Sequence, residues 1–242
     1  MTKIITPQWP LPEGVMACSS TRIGGVSQPP WGSLNLGAHC GDDTAHVEHN
    51  RQIFYTAAGL PAQPEWLEQV HGTHVLNLDS PWENKRADAV YTRQRGKVCA
   101  VMTADCLPVL LCNTAGTEVA AAHAGWRGLC EGVIEATVAC FEDKPANLLA
   151  WLGPAIGPEA FEVGPEVRAA FMEKAPEAQQ AFRPAGEKYF ADIYQLARQR
   201  LANLGITRVY GGDHCTFSEP STFFSYRRDR TTGRMASFVW LI

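Results

Sequence analysis

The sequence predicts an α/β protein of the α+β type, a mixed β-sheet sandwich flanked by helices. Short apolar runs rich in β-branched residues are numerous, and three of them, 97–103, 107–112 and 117–122, follow one another with only short breaks. Helices would separate the strands of a doubly wound parallel sheet, so this spacing favours a mixed or antiparallel sheet. No repeat, low-complexity tract or linker-like stretch interrupts the 242 residues, so we expect a single domain over 1–242.

The predicted strands share an apolar composition and bounding turn residues. They lie at 15–20, 67–70, 74–78, 97–103, 107–112, 117–122, 148–152, 207–210 and 236–241. Helical spacing of apolar residues predicts four helices. These lie at 44–58, 129–141, 164–174 and 192–204. Asp43 or Thr44 is expected to cap the first helix, and Asp192 with Gln195 has the spacing of a capping box before the last.

Composition and charge restrict the class of protein. Hydrophobic residues make up 45% of the chain and charged residues 19%, values typical of a soluble globular protein. The formal net charge of −4 provides no basic field for nucleic acid, so any anion must be held by a local basic cluster. We find no apolar run long enough to cross a membrane and no apolar core of a signal peptide. The expected location is therefore cytoplasmic, with no nucleic-acid or membrane partner.

The eight cysteines include no CxxC pair, which argues against a zinc ribbon or a thioredoxin-like motif. In a reducing compartment we expect them to stay free thiols or to bind metal. Most lie among apolar or small residues, as in VCAVM and LLCN, and are expected to be small buried hydrophobic side chains.

One stretch, VCAVMTADCLPVLLCNTAGTEVAAAHAGWRG over 98–128, carries the strongest chemical signal. Its two predicted strands flank the four-residue loop NTAG, whose residue types are typical of turns. In such a hairpin Cys112 faces Thr117, and counting back along both strands places Cys106 opposite His123. Opposed residues have Cβ atoms about 4.5–5.5 Å apart. A thiolate and an imidazole at that distance can share one zinc ion, or they can form a Cys–His nucleophile pair.

A third zinc ligand is predicted in WLEQVHGTHV. Val70 and His71 end a predicted strand, and Gly72 lets the backbone turn there. We therefore favour His71 over His74. A His₂Cys set leaves one tetrahedral position open, as catalytic zinc sites do.

Charged residues near these ligands have two interpretations each. Asp105 could orient a neighbouring histidine or cap the break in the chain. Asp88, in KRADAV, could be a general base or a solvated loop residue. Arg127, in the GWRG that precedes the helix predicted over 129–141, could clamp an anion beside a helix N-terminus or lie in solvent. Two further segments, SSTRIGG with Arg22 and FSYRRD with Arg227, suit a phosphate or a sugar, although neither is a P-loop.

Motifs along almost the whole chain resemble the laccase-domain, or multicopper polyphenol oxidoreductase, family, whose members are also described as peptidoglycan-editing factors and as purine nucleoside phosphorylases. The resemblance is strongest to gamma-proteobacterial members. The matching segments are STRIGGVS (20–27), SLNLGAHCGDD (33–43), QVHG (69–72), ADAV (87–90), ADCLPVLL (104–111), HAGWRG (123–128), GPAIGPEAFEVG (153–164) and FFSYRRDRTTGRMA (223–236). Trp31 stands where a tyrosine is expected, a minor departure.

The resemblance implies a zinc site formed by the histidine of QVHG, the cysteine of ADCLP and the histidine of HAGWRG, here His71, Cys106 and His123. It also implies a mixed-sheet sandwich like that of deamidating toxins with a Cys–His pair. Asn35 of SLNLG and Gln69 of QVHG are expected to bind substrate, together with the three arginines named above.

Four functions follow. The leading one is phosphorolysis of adenosine, inosine, guanosine and S-methyl-5′-thioadenosine, together with hydrolytic deamination of adenosine; its partners would be a nucleoside and phosphate. The second is a zinc amidase acting on a UDP-linked cell-wall precursor, UDP-MurNAc-L-Ser. Copper-linked phenol oxidation is the third, and Cu²⁺ stays an alternative metal, but seven histidines without a His-x-His pair argue against a true laccase. A structural zinc protein, the fourth, is disfavoured because three ligands leave the site open.

Overall fold

Two β-sheets packed face to face form the centre of the protein, and the computed structural model describes all residues from 1 to 242. The strands are β1 (Ile4–Ile5), β2 (Val15–Ser20), β3 (Val75–Asn77), β4 (Ala89–Thr92), β5 (Val98–Thr103), β6 (Leu107–Asn113), β7 (Val119–Ala124), β8 (Leu148–Leu152), β9 (Glu162–Val163), β10 (Phe182–Ala185), β11 (Lys188–Ala191), β12 (Arg208–Gly211) and β13 (Met235–Leu241). The helices are α1 (Thr44–Ala58), α2 (Trp126–Glu131), α3 (Val133–Val138), α4 (Pro165–Lys174), α5 (Ile193–Asn203) and α6 (Tyr226–Asp229).

The larger sheet is mixed, as the spacing of the strands predicts. Its order is β12-β8-β6-β7-β4-β3, and the two outer pairs, β12 with β8 and β3 with β4, are parallel while the inner pairs are antiparallel. The second sheet, β1-β2-β13-β5, is antiparallel throughout. A small third sheet has the order β10-β11-β9.

Helices cover the outer faces of both large sheets. Phe54 of α1 stacks on Phe238 of β13 with ring centroids 4.8 Å apart, in a core on the outer face of the antiparallel sheet. Helices α2 to α5 cover the outer face of the mixed sheet, where Val109 and Leu111 of β6 point. Leu110 of the same strand points between the sheets. A strand that is buried on both faces needs a continuous apolar run rather than alternating polar and apolar residues. This explains why the β6 sequence LPVLLC is apolar throughout. The fold is thus the predicted mixed sandwich flanked by helices.

Three of the four predicted helices lie where the periodicity places them. The carboxylate of Asp43 caps α1 by accepting from the backbone N–H of Ala45, and Asp192 caps α5 by accepting from that of Gln195. The helix predicted over 129–141 is instead two short helices, because Gly132 takes a left-handed φ of 112° and ends α2. None of the helices combines the length and the apolar character that crossing a membrane requires.

The strand predicted at 67–70 is wrong. This segment forms only an isolated bridge between Glu68 and Arg86. The backbone N–H groups of Val70, His71 and Gly72 donate to the carboxylate of Asp88 instead of to a neighbouring strand. Residues whose donors serve a side chain cannot join a ladder, so the segment is a loop.

The predicted register of the β6–β7 hairpin is also wrong, by two residues. Cys112 faces Val119 rather than Thr117, and His123 faces Pro108 rather than Cys106. The cause is Asn113, which extends β6 by one residue and whose side-chain oxygen accepts from the N–H groups at positions 117 and 118. A shift by two keeps every side chain on its predicted face.

Candidate functional site

Three potential metal ligands, His71, Cys106 and His123, lie together where β6 begins and β7 ends. Their ligand atoms are all within 4.8 Å of one another. Bonds of 2.0–2.3 Å to one tetrahedral zinc ion would place such atoms roughly 3.3–3.8 Å apart. The donor set of one thiol and two imidazoles suits zinc chemically, and His71, the most exposed of the three, has the most room to adjust. The residues therefore fit a metal ion.

Cys106 reaches His123 along a diagonal of the hairpin. His123 pairs with Pro108, and Cys106 lies two residues before Pro108, so the two side chains share one face of the sheet. The chain turns sharply just before Cys106, where Asp105 has a φ of 102°. This turn ends the strand pairing and places the thiol directly before the first residue of β6.

Backbone strain is concentrated at this site. Three residues other than glycine have a positive φ, and two of them are His71, at 60°, and Asp105. Such conformations cost about 1–3 kcal/mol and persist only where surrounding contacts enforce them. Here the enforcing contacts are hydrogen bonds to the carboxylate of Asp88 on one side and from Thr216 and the backbone N–H of Arg227 on the other.

Asp88 positions two of the three ligands. Its side chain is fully buried directly before β4, which pairs with β7. One oxygen, Oδ2, accepts from the N–H of His71 at 2.9 Å and from Nδ1 of His123 at 2.7 Å. The other, Oδ1, accepts from the N–H groups of Val70 and Gly72. With all its hydrogen bonds directed into the protein, Asp88 is placed neither as a general base nor as a solvated loop residue, the two roles that its sequence suggests.

The hydrogen bond to Asp88 also fixes the orientation of the His123 ring. Nδ1 faces the carboxylate, which leaves Nε2 for a metal ion or for the thiol of Cys106. Burial alone would lower the pKa of His123, but the charge of Cys106 and the bond to Asp88 outweigh burial and raise this pKa to about 9. Burial likewise acts to raise the pKa of Asp88, but hydrogen bonds from His123 and from backbone N–H groups lower it. The two side chains thus favour an ion pair when no metal is bound.

Asp105 does not orient a histidine, the first of its two predicted roles. Its Oδ1 accepts from Thr216 Oγ1 and its Oδ2 from the N–H of Arg227, both at 2.7 Å. Burial raises the pKa of Asp105, and these hydrogen bonds only partly offset the effect. Asp105 therefore ties the segment that leads into α6 to the turn before Cys106.

The three ligands line a cavity of about 940 Å³. Its wall includes four aromatic side chains, those of Trp66, Trp126, Phe161 and Tyr226. Such a volume and apolar lining are typical of small-molecule sites.

Two of the predicted substrate-binding residues line this cavity. The amide of Gln69 is bonded to the backbone N–H and C=O of Met102. Arg227 donates to the carbonyl of Glu162 and lies over the ring of Phe161.

The other three predicted substrate-binding residues do not line the cavity. Arg22 donates to the carbonyls of Gly32 and Pro220 and stacks on a phenylalanine ring. Arg127 is exposed and lies over its neighbour Trp126. Asn35 is fully buried, with both polar atoms bonded inside the protein. Local hydrogen bonds hold Arg22 and Asn35 away from the cavity, whereas Arg127 points into solvent.

Three cavity residues, His39, Arg51 and Arg234, were not predicted from the sequence. His39 and Arg234 belong to two of the segments quoted above, SLNLGAHCGDD and FFSYRRDRTTGRMA, which is the one signal that could have indicated them. They come together only in the folded chain.

Gly125 offers a steric test of the ligand cluster. A Cβ at this position would lie 3.0 Å from Cys106 Sγ and 3.0 Å from His71 Nδ1. Gly125→Ala should therefore push these two ligands apart. Overpacking costs about 1–3 kcal/mol, so we expect zinc affinity to fall roughly five- to hundredfold, measured by competition with a chelator. Without metal the two side chains are free to move away from the added methyl group, so metal-free Gly125→Ala should unfold at nearly the temperature of the metal-free parent. Unchanged zinc affinity would contradict the cluster.

Comparison with known proteins places the chain in a family. The model for "Multi-copper polyphenol oxidoreductase laccase" matches residues 16–242. Purine nucleoside phosphorylase YfiH of Escherichia coli K12 is 69% identical over 100% of both chains, and a purine nucleoside phosphorylase of Haemophilus influenzae is 53% identical over 98% of both. A solved structure from Neisseria meningitidis superposes with a TM-score of 0.93 at 50% identity, covering 98% of both chains. A Bacillus licheniformis YfiH structure gives 0.88 at 30% identity, over 94% of this chain and 93% of that one. This chain belongs to the multi-copper polyphenol oxidoreductase laccase family.

Proposed function

We propose that this chain is a zinc-dependent purine nucleoside enzyme. Its reactions are phosphorolysis of adenosine, inosine, guanosine and S-methyl-5′-thioadenosine to the free base and the (methylthio)ribose 1-phosphate, and hydrolytic deamination of adenosine. The observation that carries the proposal is the cluster of His71, Cys106 and His123 in the wall of a cavity with aromatic lining. The names of the Escherichia coli and Haemophilus influenzae relatives support the substrate class.

Zinc is the metal that we propose for this cluster. At such a site it supplies Lewis acidity and lowers the pKa of water to about 7. A His₂Cys set also occurs in copper proteins, so Cu²⁺ is the alternative. Among groups of three or more potential ligands the structure contains this one cluster, which argues against the several copper ions of a laccase.

The residues around the proposed metal site position the substrate. In phosphorolysis an oxygen of phosphate bonds to C1′ of the ribose while the bond from C1′ to the purine breaks, and the purine takes up a proton. In deamination water adds at C6 of adenine and ammonia leaves. Both reactions need the purine ring to be held in a fixed orientation. Trp126 and Tyr226 line the cavity and provide aromatic rings on which the purine can stack. Asp88 holds His71 and His123 in place.

An amidase acting on UDP-MurNAc-L-Ser is the second candidate. The observation in its favour is the size of the cavity, about 940 Å³, which is near the upper end of the range of about 300–1,000 Å³ for small-molecule sites. A UDP-linked sugar would use more of this space than a nucleoside. It would use the same metal ligands, so activity assays are needed to separate the two functions.

One preparation of purified protein can test both functions. We expect about one zinc ion per chain by elemental analysis, because the three ligands form one site. The zinc-loaded protein should convert inosine to hypoxanthine only when phosphate is present, and should deaminate adenosine without phosphate. Release of serine from UDP-MurNAc-L-Ser with no nucleoside turnover would favour the amidase, and copper as the sole bound metal would overturn the proposed zinc site.

A further inference from the structure

We infer that Arg51, Arg234 and His39 form a phosphate-binding site within the cavity that holds the metal ligands. The inference deepens the proposed function, on which it rests, because it assigns the anion to residues other than Arg127 and Arg227. All three side chains line the cavity together with His71, Cys106 and His123.

Neither arginine has a carboxylate partner, in contrast to four of the other arginines. Arg93, Arg183, Arg200 and Arg228 each form an ion pair with a glutamate or aspartate. Arg51 and Arg234 form none, and only backbone carbonyls accept from their guanidinium groups. Arg51 Nη1 and Arg234 Nη2 have no acceptor within the protein. Two half-buried cations with free N–H groups in one cavity offer strong hydrogen bonds to an oxyanion.

A single loop contacts both arginines and carries His39. The carbonyl of Leu36 accepts from Nε and Nη2 of Arg51 at 3.0 and 2.9 Å. Asn35 Oδ1 accepts from the backbone N–H of Arg234 at 2.8 Å, and His39 lies three residues beyond Leu36 in the same loop. Because these bonds form within the protein, the guanidinium groups are oriented before any ligand arrives, which favours binding. This also gives buried Asn35 a positioning role in place of the direct substrate contact predicted for it.

The charges of the two arginines act on His39. Burial, then the charges of Arg234 and Arg51, lower the pKa of His39, so its ring is a neutral hydrogen-bonding group beside two cations. Burial also lowers the pKa of Arg51. A phosphate would offset this effect of burial, because opposite charge at short range favours the ionised arginine.

The remaining basic residues in or near the cavity differ from this group of three. Lys85 lines the cavity but pairs with Glu65 at 2.8 Å. Arg227 also lines the cavity, donates to the backbone carbonyl of Glu162 and lies over Phe161, but it is not among the charges that act on His39. Arg127 lies outside the cavity. The phosphate could be the free co-substrate of phosphorolysis or could belong to the substrate itself, as in a UDP-linked compound; the chemistry of recognition is the same.

Kinetic measurements on Arg51→Gln, Arg234→Gln and His39→Ala test the site. With inosine as substrate, each arginine variant should raise the KM for phosphate about ten- to hundredfold, the effect of losing one charge-assisted hydrogen bond. Zinc content and the KM for inosine should stay close to the parent values. Arg234→Lys should recover part of the loss. Arg198→Gln is the matched control, because Arg198 also donates to a backbone carbonyl, that of Gly211, and does not line the cavity.

Thermal unfolding without any nucleoside separates this site from the proposed reaction. Inorganic phosphate and UDP are added separately to the parent protein, to both arginine variants and to His39→Ala, which loses no hydrogen bond on substitution. The site is supported if either ligand stabilises the parent and Arg198→Gln but stabilises the other variants less, even if no phosphorolysis is found. A larger stabilisation by UDP than by inorganic phosphate would assign the phosphate group to the substrate. Equal stabilisation of parent and variants, or none of the parent by either ligand, overturns the inference.

Discussion

Cys106→Ala is expected to lower zinc affinity more than about a hundredfold, because the loss of a ligand should exceed the 10- to 100-fold effect of losing an outer hydrogen-bonding partner. The variant should also lose the nucleoside chemistry. A metal ion contributes several kcal/mol to transition-state stabilisation, so kcat/KM for inosine phosphorolysis should fall at least about a thousandfold. Elemental analysis after dialysis and an assay of hypoxanthine release measure the two effects.

Cys140→Ala provides the control. Cys140 is a partly buried free thiol outside the cavity, bonded only to the carbonyl of Ala136, so its removal should leave zinc and activity nearly unchanged. Full zinc content in Cys106→Ala would contradict the proposed site. Retained zinc with abolished activity would identify Cys106 as a nucleophile paired with His123, the alternative that the sequence leaves open.

The pairing of Cys106 with His123 could be predicted although the register on which the prediction was based is wrong. Asn113 adds one residue to β6 and draws the N–H groups of the turn to its side chain, which shifts the pairing by two residues. Side chains alternate with a period of two, so an even error keeps both ligands on the same face. A register error of one residue would have placed His123 on the opposite face of the sheet from Cys106. The shared site would then not have been predicted.

The roles of the two aspartates could not be assigned from the sequence. Asp105 is adjacent to a ligand, yet it binds Thr216 and the backbone of Arg227. Asp88 is far from any ligand in the sequence, yet it holds two of them. The difference arises because β4 pairs with β7, and β4, a strand of four residues, has too little periodicity to be predicted.

The short elements of the fold and the basic part of the cavity were missed for the same reason. Strands β9 to β11 have between two and four residues each, so their sequences carry no reliable alternation. Arg51 lies in α1 and Arg234 directly before β13, and both are held by hydrogen bonds to the loop that contains Asn35 and Leu36. The long apolar strands and the amphipathic helices, by contrast, could be placed because burial imposes a pattern on many residues at once.

Asp88→Asn should be the most damaging substitution outside the ligands themselves. The amide is similar in size to the carboxylate, but its NH₂ group would face two donors, either the N–H of His71 with Nδ1 of His123, or the N–H groups of Val70 and Gly72. Each buried donor left without an acceptor costs about 1–3 kcal/mol. We expect zinc affinity to fall about 10- to 100-fold, as for other residues that orient metal-binding histidines, together with a lower free energy of unfolding.

Asp79→Asn separates the effect on the metal from the effect on stability. Asp79 also accepts two hydrogen bonds, from Thr92 Oγ1 and from the N–H of Arg93 at the opposite end of β4, and it does not line the cavity. Its variant should lose stability with little change in zinc affinity, whereas Asp88→Asn should lose both. Zinc affinity from chelator competition and unfolding free energy from denaturant titration of the metal-free proteins give the comparison. If the two variants lose stability equally and both keep parental zinc affinity, Asp88 supports only the fold, and the orientation of His71 and His123 must come from other contacts.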